Sequence, residues 1–241
     1  MSGFEMIPIF IISCDRLEAL KESIQSYHDY IKTPFEIVII DLGSTYKPTV
    51  KFLRDLERNR IKVYWNGRIK HNRDLNFHVG YNIQDYFKNH PASNYVVTDP
   101  DIVLDNVDGD ILDVYSYLLE ALPRIVIVGP MLRIDDLPDH YHNKEKLQIV
   151  HGQNFWSKEI KNIKYKNKVI KYIHCKIDTT FAMNRAETHW RRLQGSIRTM
   201  SPYAARHLEW YLDPKDLTPD QEYYMKHASR RISHTLTGNE R

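Results

Sequence analysis

The chain has 241 residues, of which 42% are hydrophobic and 27% charged, a composition that indicates a folded globular protein and excludes a mostly disordered one. Its formal net charge of +3, from 34 basic and 31 acidic residues, is too balanced for a protein that binds nucleic acid. The two cysteines, Cys14 and Cys175, provide neither a disulfide framework nor a paired-cysteine zinc site, and they predict reduced thiols in a cytoplasmic protein.

Apolar strands and amphipathic helices alternate from the start of the chain. Ile7–Ser13 predicts a buried strand, and apolar residues at helical spacing from Leu17 to Tyr27 predict a following helix with Asp15 as its N-cap. Phe35–Ile40 predicts a second strand, followed by a helix that is entered through Ser44 to Pro48. The strand and helix unit therefore occurs twice within the first sixty residues.

The same unit continues towards residue 100. Ile61–Trp65 predicts a third strand, Val79 to Phe87 a helix, and Tyr95–Thr98 a fourth strand. Because strands that alternate with helices are joined by right-handed crossovers, the pattern predicts an α/β fold with a mostly parallel, Rossmann-like sheet flanked by helices. No stretch of the sequence approaches the ~20 apolar residues of a membrane span.

The second half of the sequence is less regular. Asp110–Leu122 predicts a helix, Ile125–Val128 a strand, and Arg133–His142 a polar loop. Lys158–Lys176 holds seven lysines and one glutamate and predicts an exposed hairpin. That hairpin is either a solvated face or a surface for peripheral contact with an acidic membrane or a phosphorylated acceptor.

Two helical segments are predicted near the end of the sequence. One lies near Tyr203 to Leu212 and carries Arg206 and His207, and the other starts at a capping box from Thr218 to Gln221. Arginine suits paired phosphate oxygens and neutral histidine can bind a metal, so Arg206, His207 and the later His234 are candidates for such contacts. A surface or structural role is the alternative for each histidine.

Polar residues follow the end of each of the four predicted strands. Ligands of open α/β sheets bind beyond the carboxyl ends of the strands, which selects Ser13–Arg16, Asp41–Thr45, Asn66–Asn76 and Asp99–Asp101. The triplet Asp99-Pro100-Asp101 places two carboxylates beside a rigid turn, and Mg²⁺ and Mn²⁺ prefer such oxygen ligands together with substrate phosphates. It predicts a divalent-cation site, against the alternative of an ordinary acidic turn.

Three blocks of sequence carry a family resemblance. IPIFIISCDRLEALKESIQSY, FEIVIIDLGST and YVVTDPDIVLDN resemble, in this order, the GT-A fold glycosyltransferases, especially those of the family 2 type, over roughly Met6 to Asn106. The later segments GPMLRIDDLPDHYH, IDTTFAMNR, YAARHLEWYLDP and ISH look similar to a bacterial and viral subgroup. The resemblance implies one GT-A domain over residues 1–241, in which residues 1–106 bind the nucleotide sugar and residues 107–241 bind the acceptor.

The resemblance also implies roles for individual residues. Asp41 would bind the nucleotide base, Asp99 would lie near the ribose and metal, and Asp101 would bind the metal directly. Arg73 falls where family 2 enzymes carry a glycine-rich segment, which this sequence lacks, and helix capping by its neighbours is the alternative. The expected cofactor-binding residues are Ser13, Asp15, Arg16, Asp41, Ser44, Arg73, Asp99 and Arg206, and the expected metal ligands are Asp101, Asp99, His207 and His234.

Asp178 is the candidate catalytic base. It begins the block Asp178-Thr179-Thr180-Phe181 at a predicted strand end, where the sugar and acceptor are expected to meet. A carboxylate there can deprotonate the acceptor hydroxyl in an inverting transfer. The alternative is that Asp178 binds sugar hydroxyls or caps the turn through Thr180.

Together these residues predict a transferase that moves a hexose from a UDP- or GDP-linked donor to a carbohydrate, lipid-linked or glycoprotein acceptor, with Mn²⁺ or Mg²⁺ as cofactor. One alternative is a sugar-phosphate nucleotidyltransferase, although such enzymes usually have a glycine-rich loop after the first strand and Ser13–Arg16 contains no glycine. The other alternative is a non-catalytic module that binds nucleotide sugars or glycans.

Overall fold

The structure, a computed structural model, describes residues 6–69, 72–141, 143–191 and 195–227. The helices and strands lie in the following order along the chain: β1 (Ile7–Ser13), α1 (Leu17–Tyr30), β2 (Phe35–Asp41), α2 (Lys47–Arg58), β3 (Lys62–Trp65), α3 (Asn72–Phe87), β4 (Asn94–Thr98), β5 (Ile102–Val103), α4 (Ile111–Ala121), β6 (Ile127–Pro130), α5 (Lys144–His151), a π-helical turn (Gly152–Trp156), β7 (Lys161–Tyr165), β8 (Lys168–Lys176), β9 (Ala182–Arg185), β10 (Gly195–Thr199), β11 (Arg206–His207), a 3₁₀ turn (Leu208–Tyr211) and α6 (Pro219–His227).

A nine-stranded sheet with the strand order β3-β2-β1-β4-β9-β6-β10-β8-β7 forms the centre of the structure. β1 pairs in parallel with β2 and β4, and β2 pairs in parallel with β3. β9 is antiparallel to both β4 and β6, whereas β10 is parallel to β6. The predicted α/β fold with a mostly parallel sheet is confirmed, and β9 joins the strands of the first hundred residues to the later ones.

Two apolar layers cover the faces of the sheet. Alternate residues of β1 face opposite layers, with Ile9 and Ile11 packed in the layer that includes side chains of α1, α2 and α4. Phe10 and Ile12 pack in the other layer, which includes side chains of α3. These strand residues are at most 5% exposed, as expected when helices cover both faces of a parallel sheet.

The loop before α1 differs from the prediction. Asp15 does not cap α1, whose N-cap residue is Arg16 and has no side-chain cap. The backbone of Asp15 has a positive φ of 54°, and its carboxylate accepts hydrogen bonds from the loop after β2. The sequence rule for N-caps failed here because a neighbouring strand end competes for the same carboxylate.

The second half of the chain confirms some predictions and corrects others. The lysine-rich segment forms the hairpin of β7 and β8, and the amide of Thr218 donates to Gln221 Oε1 (2.8 Å) as the capping box requires. The predicted helix near Tyr203 to Leu212 is wrong, because Arg206–His207 pairs with β5 as a strand and only Leu208–Tyr211 is helical. Helix α5 and strands β9 and β10 were not predicted.

Within the described ranges, no helix is long and apolar enough to cross a membrane.

Candidate active site

The carboxyl ends of β1, β2 and β4 meet at one edge of the sheet. The strand register places Ser13 beside Asp41, and Ile11 beside Thr98. The last residues of these strands and the loops that follow them carry most of the site residues predicted from the sequence. Parallel pairing therefore brings together side chains that are far apart in sequence. Asp15 and Asp101, for example, are 86 positions apart.

Asp15 connects the loop after β1 to the loop after β2 by hydrogen bonds. Its Oδ1 accepts hydrogen bonds from the amides of Thr45 (2.5 Å) and Tyr46 (2.7 Å), and its Oδ2 accepts one from the Thr45 hydroxyl (3.1 Å). The amide of Asp15 donates to Ser44 Oγ (2.9 Å). Asp15 is fully buried, so its carboxylate fixes the shape of both loops rather than pointing into solvent.

Asp41 ends β2 and organises the turn that follows. Its carboxylate accepts hydrogen bonds from the amides of Gly43 (3.1 Å) and Ser44 (3.0 Å) and from the Ser44 hydroxyl. Burial raises the pKa of Asp41, although these hydrogen bonds oppose the shift. Gly43 has a φ of 86°, and a Cβ there would lie 2.5 Å from the Arg68 amide nitrogen, so only glycine fits.

Asp101 lies at the centre of a buried cluster of charged and polar side chains. Its Oδ2 accepts a hydrogen bond from Arg16 Nη2 (2.6 Å) and lies 3.3 Å from His207 Nε2. Arg16 also forms an ion pair with Glu209. Burial alone would raise the pKa of Asp101, but Arg16 and His207 hold it below its usual range.

The short ribbon of β5 and β11 brings His207 to this cluster. His207 pairs with Ile102, and the amide of Leu208 donates to the carbonyl oxygen of Asp101 (2.8 Å). The imidazole of His207 stacks on the Trp210 ring, with the ring centroids 4.8 Å apart and the planes 10° from parallel. The ribbon therefore fixes both the position and the plane of the imidazole.

The Asp101 cluster has the chemistry of a divalent-cation site. Ligand atoms of Asp101, His207 and Glu209 lie within 4.8 Å of one another. Asp101 Oδ1 and His207 Nδ1 are buried and have no hydrogen-bond partner among the described residues. The carboxylates of Asp101 and Glu209 against the guanidinium of Arg16 give these three side chains a net charge of −1. Oxygen and imidazole donors suit Mn²⁺, and oxygen donors suit Mg²⁺.

Thr179 connects the carboxylates of Asp99 and Asp178, two further residues predicted from the sequence. Its hydroxyl donates a hydrogen bond to Asp99 Oδ2, and its amide donates to Asp178 Oδ1 (2.8 Å). The amide of Asp99 in turn donates to the Thr179 carbonyl oxygen (2.8 Å). Asp99 and Asp178 are both half-buried, so this connection between the end of β4 and the start of β9 leaves them partly open to solvent.

Arg206 lies in a separate carboxylate network. Its Nε donates to Asp136 Oδ2 (2.9 Å), its Nη1 lies 3.1 Å from Asp105 Oδ2, and its guanidinium stacks on the Tyr211 ring at 5.0 Å. Residues adjacent along a strand point to opposite sides, which separates Arg206 from His207. Its predicted contact with a diphosphate stays a prediction, and that contact would require these ion pairs to open.

The remaining predicted residues contribute less to the described site. Ser13 is buried, and its hydroxyl has no hydrogen-bond partner among the described residues. Arg73 belongs to the first turn of α3, but its side chain lies outside the described part of the structure. His234 also lies outside the described residues.

Helix α6 packs over the loops that follow β1 and β2. The Tyr223 ring contacts the Tyr46 ring in a tilted arrangement with the centroids 4.9 Å apart, and the Tyr223 hydroxyl donates to Thr45 Oγ1 (3.2 Å). Tyr224 packs against the Arg16 guanidinium, which lies 5.3 Å from its ring centroid. A cavity of about 280 Å³ lies between α1, the 3₁₀ turn and α6, bordered by Arg16 and Glu209.

Sequence reasoning missed Glu209, Thr179 and Tyr224. The only signal for Glu209 was its position two residues after His207, and that segment was predicted to be helical. Threonine and tyrosine carry no distinctive pattern, so the roles of Thr179 and Tyr224 depend on what folding places beside them. Glu209 is 7% exposed, which the sequence could not indicate.

In its sequence blocks and its α/β layout the chain resembles GT-A glycosyltransferases. The mannosyltransferase PcManGT from Pyrobaculum calidifontis, solved with GDP-Man and Mn²⁺, is 15% identical with a TM-score of 0.40. The match covers 56% of this chain and 38% of the PcManGT chain. TarS from S. aureus, solved with UDP-GlcNAc, is 11% identical with a TM-score of 0.41. The match covers 75% of this chain and 45% of the TarS chain.

A third similar structure is the glucosyl-3-phosphoglycerate synthase from Mycobacterium tuberculosis, solved with phosphoglyceric acid. It is 11% identical with a TM-score of 0.42, covering 76% of this chain and 57% of its own. The matches thus cover between 38% and 57% of the lengths of these three proteins. Comparison with protein-family models gives no match, and sequence comparison with curated proteins gives none either.

Proposed function

We propose that the chain is a metal-dependent glycosyltransferase that moves a hexose from a nucleoside diphosphate sugar to a hydroxyl acceptor. The observation that carries the proposal is the convergence of Asp41, Asp99 and Asp101 at one edge of the sheet, with His207 and Glu209 brought to Asp101 by a later segment. Such an edge is where α/β proteins bind nucleotides. The donor is UDP- or GDP-linked in this proposal.

The nucleotide half of the donor lies against the loops after β1 and β2. Asp15 and Ser44 hold these loops in one shape, which lowers the entropy lost when the nucleotide binds. When the donor binds, Asp41 gives up one of the hydrogen bonds from its own turn and accepts one from the base instead. The residues nearest to the base are thus organised before the donor arrives.

The diphosphate lies beside the Asp101 cluster. Asp101, His207 and Glu209 would hold Mn²⁺ or Mg²⁺, which supplies positive charge to the leaving diphosphate when bound. Arg16 forms ion pairs with two of these groups and keeps the cluster from carrying two uncompensated negative charges. Tyr224 packs against the Arg16 guanidinium and restricts its movement.

Asp178 acts on the acceptor. Its Oδ1 is held by the Thr179 amide, and its carboxylate takes the proton of the acceptor hydroxyl as that oxygen bonds to the anomeric carbon of the sugar. The bond between the sugar and the diphosphate breaks in the same transfer. Asp99, held by the Thr179 hydroxyl, lies towards the ribose side of the donor.

The test is the substitution Asp101→Asn, which keeps the side-chain shape but removes the negative charge. We expect hydrolysis of the productive donor in the presence of Mn²⁺ to fall at least about 100-fold, because metal binding and charge neutralisation are both weakened. Hydrolysis of UDP- and GDP-sugars is measured with and without Mn²⁺, and calorimetry measures the binding of UDP and GDP.

The matched control is Asp135→Asn, since the Asp135 side chain is 76% exposed. That control should keep wild-type hydrolysis. Unchanged metal-dependent hydrolysis in Asp101→Asn would contradict the metal site. Nucleotide binding without turnover of any donor would favour the non-catalytic module, and consumption of a nucleoside triphosphate with a sugar phosphate would favour the nucleotidyltransferase.

A further inference from the structure

Arg198 is a buried arginine in the middle of β10. Its side chain crosses between neighbouring strands, and the whole residue is 6% exposed. Nη1 donates to the Pro130 carbonyl oxygen (2.8 Å) and to Thr180 Oγ1 (3.1 Å), and Nε donates to the Lys176 carbonyl oxygen (3.3 Å). These three acceptors are neutral oxygen atoms, and the guanidinium also interacts with the Cys175 thiol.

Among the described residues, the Arg198 guanidinium has no carboxylate partner at contact distance. Among the described residues no carboxylate oxygen lies within 4.0 Å of its guanidinium, although Asp178 attracts it from farther away. Burial lowers the pKa of Arg198, whereas Asp101 and Glu209 overcome burial at Arg16 and raise its pKa. Arginine stays charged in proteins, and a buried charge without a counter-ion is costly.

One edge of the guanidinium has no oxygen acceptor among the described residues. The hydrogen bonds to oxygen atoms come from Nη1 and Nε, not from Nη2. The Phe155 ring covers the guanidinium at 5.2 Å from its centroid, and Phe155 belongs to the half-exposed π-helical turn. An anion that reached this edge would meet the N–H groups of Nη2 beside an aromatic face.

Arg198 is also linked to the proposed reaction centre. Thr180, which accepts its hydrogen bond, is adjacent to Thr179, whose amide and hydroxyl hold Asp178 and Asp99. Phe155 contacts His151, and His151 contacts the Trp210 ring on which His207 stacks. The guanidinium is thus linked to the segment that carries Asp178 on one side and, through Phe155 and His151, to the Asp101 cluster on the other.

We propose that Arg198 anchors a phosphate or carboxylate group of the acceptor whose hydroxyl Asp178 activates. The inference rests on the proposed function, because it assigns the substrate class of that same site. A guanidinium can offer paired N–H groups to the two oxygens of such an anion, which fixes the orientation of the neighbouring hydroxyl. The acceptor is then an anionic polyol or sugar rather than a neutral one.

The first experiment compares matched acceptors that differ only in the anion, such as glycerol with glycerol 3-phosphate and glucose with glucose 6-phosphate. Wild-type protein should prefer the phosphorylated member at least tenfold in kcat/KM. Arg198→Met should remove this preference through a higher acceptor KM, and Arg198→Lys should keep part of it. Hydrolysis of the donor by water should stay near the wild-type rate in both variants.

Arg185→Lys is the matched control. Within the described part of the chain, Arg185 also donates only to backbone carbonyl oxygens, those of Leu119 and Ile125, but it lies at the end of β9 that pairs with the start of β4. It should keep the preference for phosphorylated acceptors. An equal rate for neutral and phosphorylated acceptors in wild-type protein, or an unchanged preference in Arg198→Met, would overturn the inference and leave the proposed function standing.

The second experiment needs no turnover and uses inorganic phosphate as the probe. With UDP and Mg²⁺ at saturation, phosphate should raise the melting temperature of wild-type protein and of Arg185→Lys, but not that of Arg198→Met. Such a result without any donor turnover would contradict the proposed function while keeping the anion site. A phosphate effect that is equal in all three proteins would overturn the site and show that Arg198 serves only to tie the strands.

Discussion

At the scale of single residues, burial and local charge decide which side chains are reactive. Asp101 and Arg16 are held charged because they face each other in a buried cluster, and Asp41 is held by the amides of its own turn. Cys14 is the contrasting case. It is half-buried next to Asp15, and the site offers no cation strong enough to favour its thiolate.

We therefore predict that Cys14 is chemically inert in the native protein. Burial, with Asp15 and Asp41 as secondary causes, raises its pKa to about 12, so roughly one molecule in ten thousand carries the thiolate at pH 8. Iodoacetamide at pH 8 should label Cys14 far more slowly in the native protein than in urea. The rate is measured by mass spectrometry of the two cysteine peptides.

Cys175 provides an internal comparison, because burial also raises its pKa even though Arg198 opposes the shift. Both thiols should gain reactivity on unfolding. Rapid labelling of native Cys14 near neutral pH would mean that its surroundings favour the thiolate, which contradicts the buried arrangement of the loop after β1.

At the scale of elements, the ribbon of β5 and β11 connects the sheet to the Asp101 cluster. Its outer side carries a network in which Arg133 and Arg206 share the carboxylates of Asp105 and Asp136. Tyr211 adds a hydrogen bond to Asp136 Oδ1 (2.5 Å). The network holds β11 in register with β5 and so fixes the position of His207 on its inner side.

We expect Asp136→Asn to destabilise the protein by about 1–3 kcal/mol, since two arginines and a tyrosine hydroxyl lose a charged acceptor. Burial alone would raise the pKa of Asp136, but Tyr211 and Arg206 hold it below the ordinary value of 3.8. A lowered folded-state pKa means that this stabilisation is present above pH 3.8 and is lost as the pH falls through the folded-state value.

Urea unfolding at neutral pH and under acidic conditions measures this effect. The difference between wild-type and Asp136→Asn protein should be largest near neutral pH and should shrink below pH 3.8. A difference that is independent of pH, or no difference at neutral pH, would show that the network does not stabilise the ribbon. Asp135→Asn is again the exposed control.

At the scale of the whole molecule, β9 makes one continuous sheet out of the two halves of the chain. It pairs with β4 on one side and with β6 on the other, and Met183 at its centre is fully buried in the larger apolar layer. Residues far apart in sequence therefore share a core. Asp99 and Asp101 after β4 and Asp178 before β9 keep their spacing only if this sheet stays whole.

Met183→Ala should destabilise the chain by about 2–5 kcal/mol, because it leaves a cavity in the apolar layer that both halves of the chain share. Far-UV circular dichroism and tryptophan fluorescence should still report one urea transition, shifted to lower urea. The exposed change Val169→Ala, at a residue that is 62% exposed, should have little effect. Two separated transitions would show that the halves unfold independently.

The sequence by itself determined the alternation of strands and helices over the first hundred residues, because apolar periodicity is local and strong there. It also predicted which loops lie together at one edge of the sheet, since parallel strands end on the same side. Asp41, Asp99 and Asp101 followed from that rule, and the lysine-rich hairpin followed from its composition. These predictions needed no knowledge of distant contacts.

Only the tertiary structure decided how the later residues join this edge. Glu209 and His207 reach Asp101 because β11 pairs with β5, and Thr179 connects Asp99 with Asp178 because β9 enters the sheet beside β4. Such short strands have no periodicity of their own and are defined by their partners. Their positions depend on packing between segments more than 75 residues apart, which a local pattern does not encode.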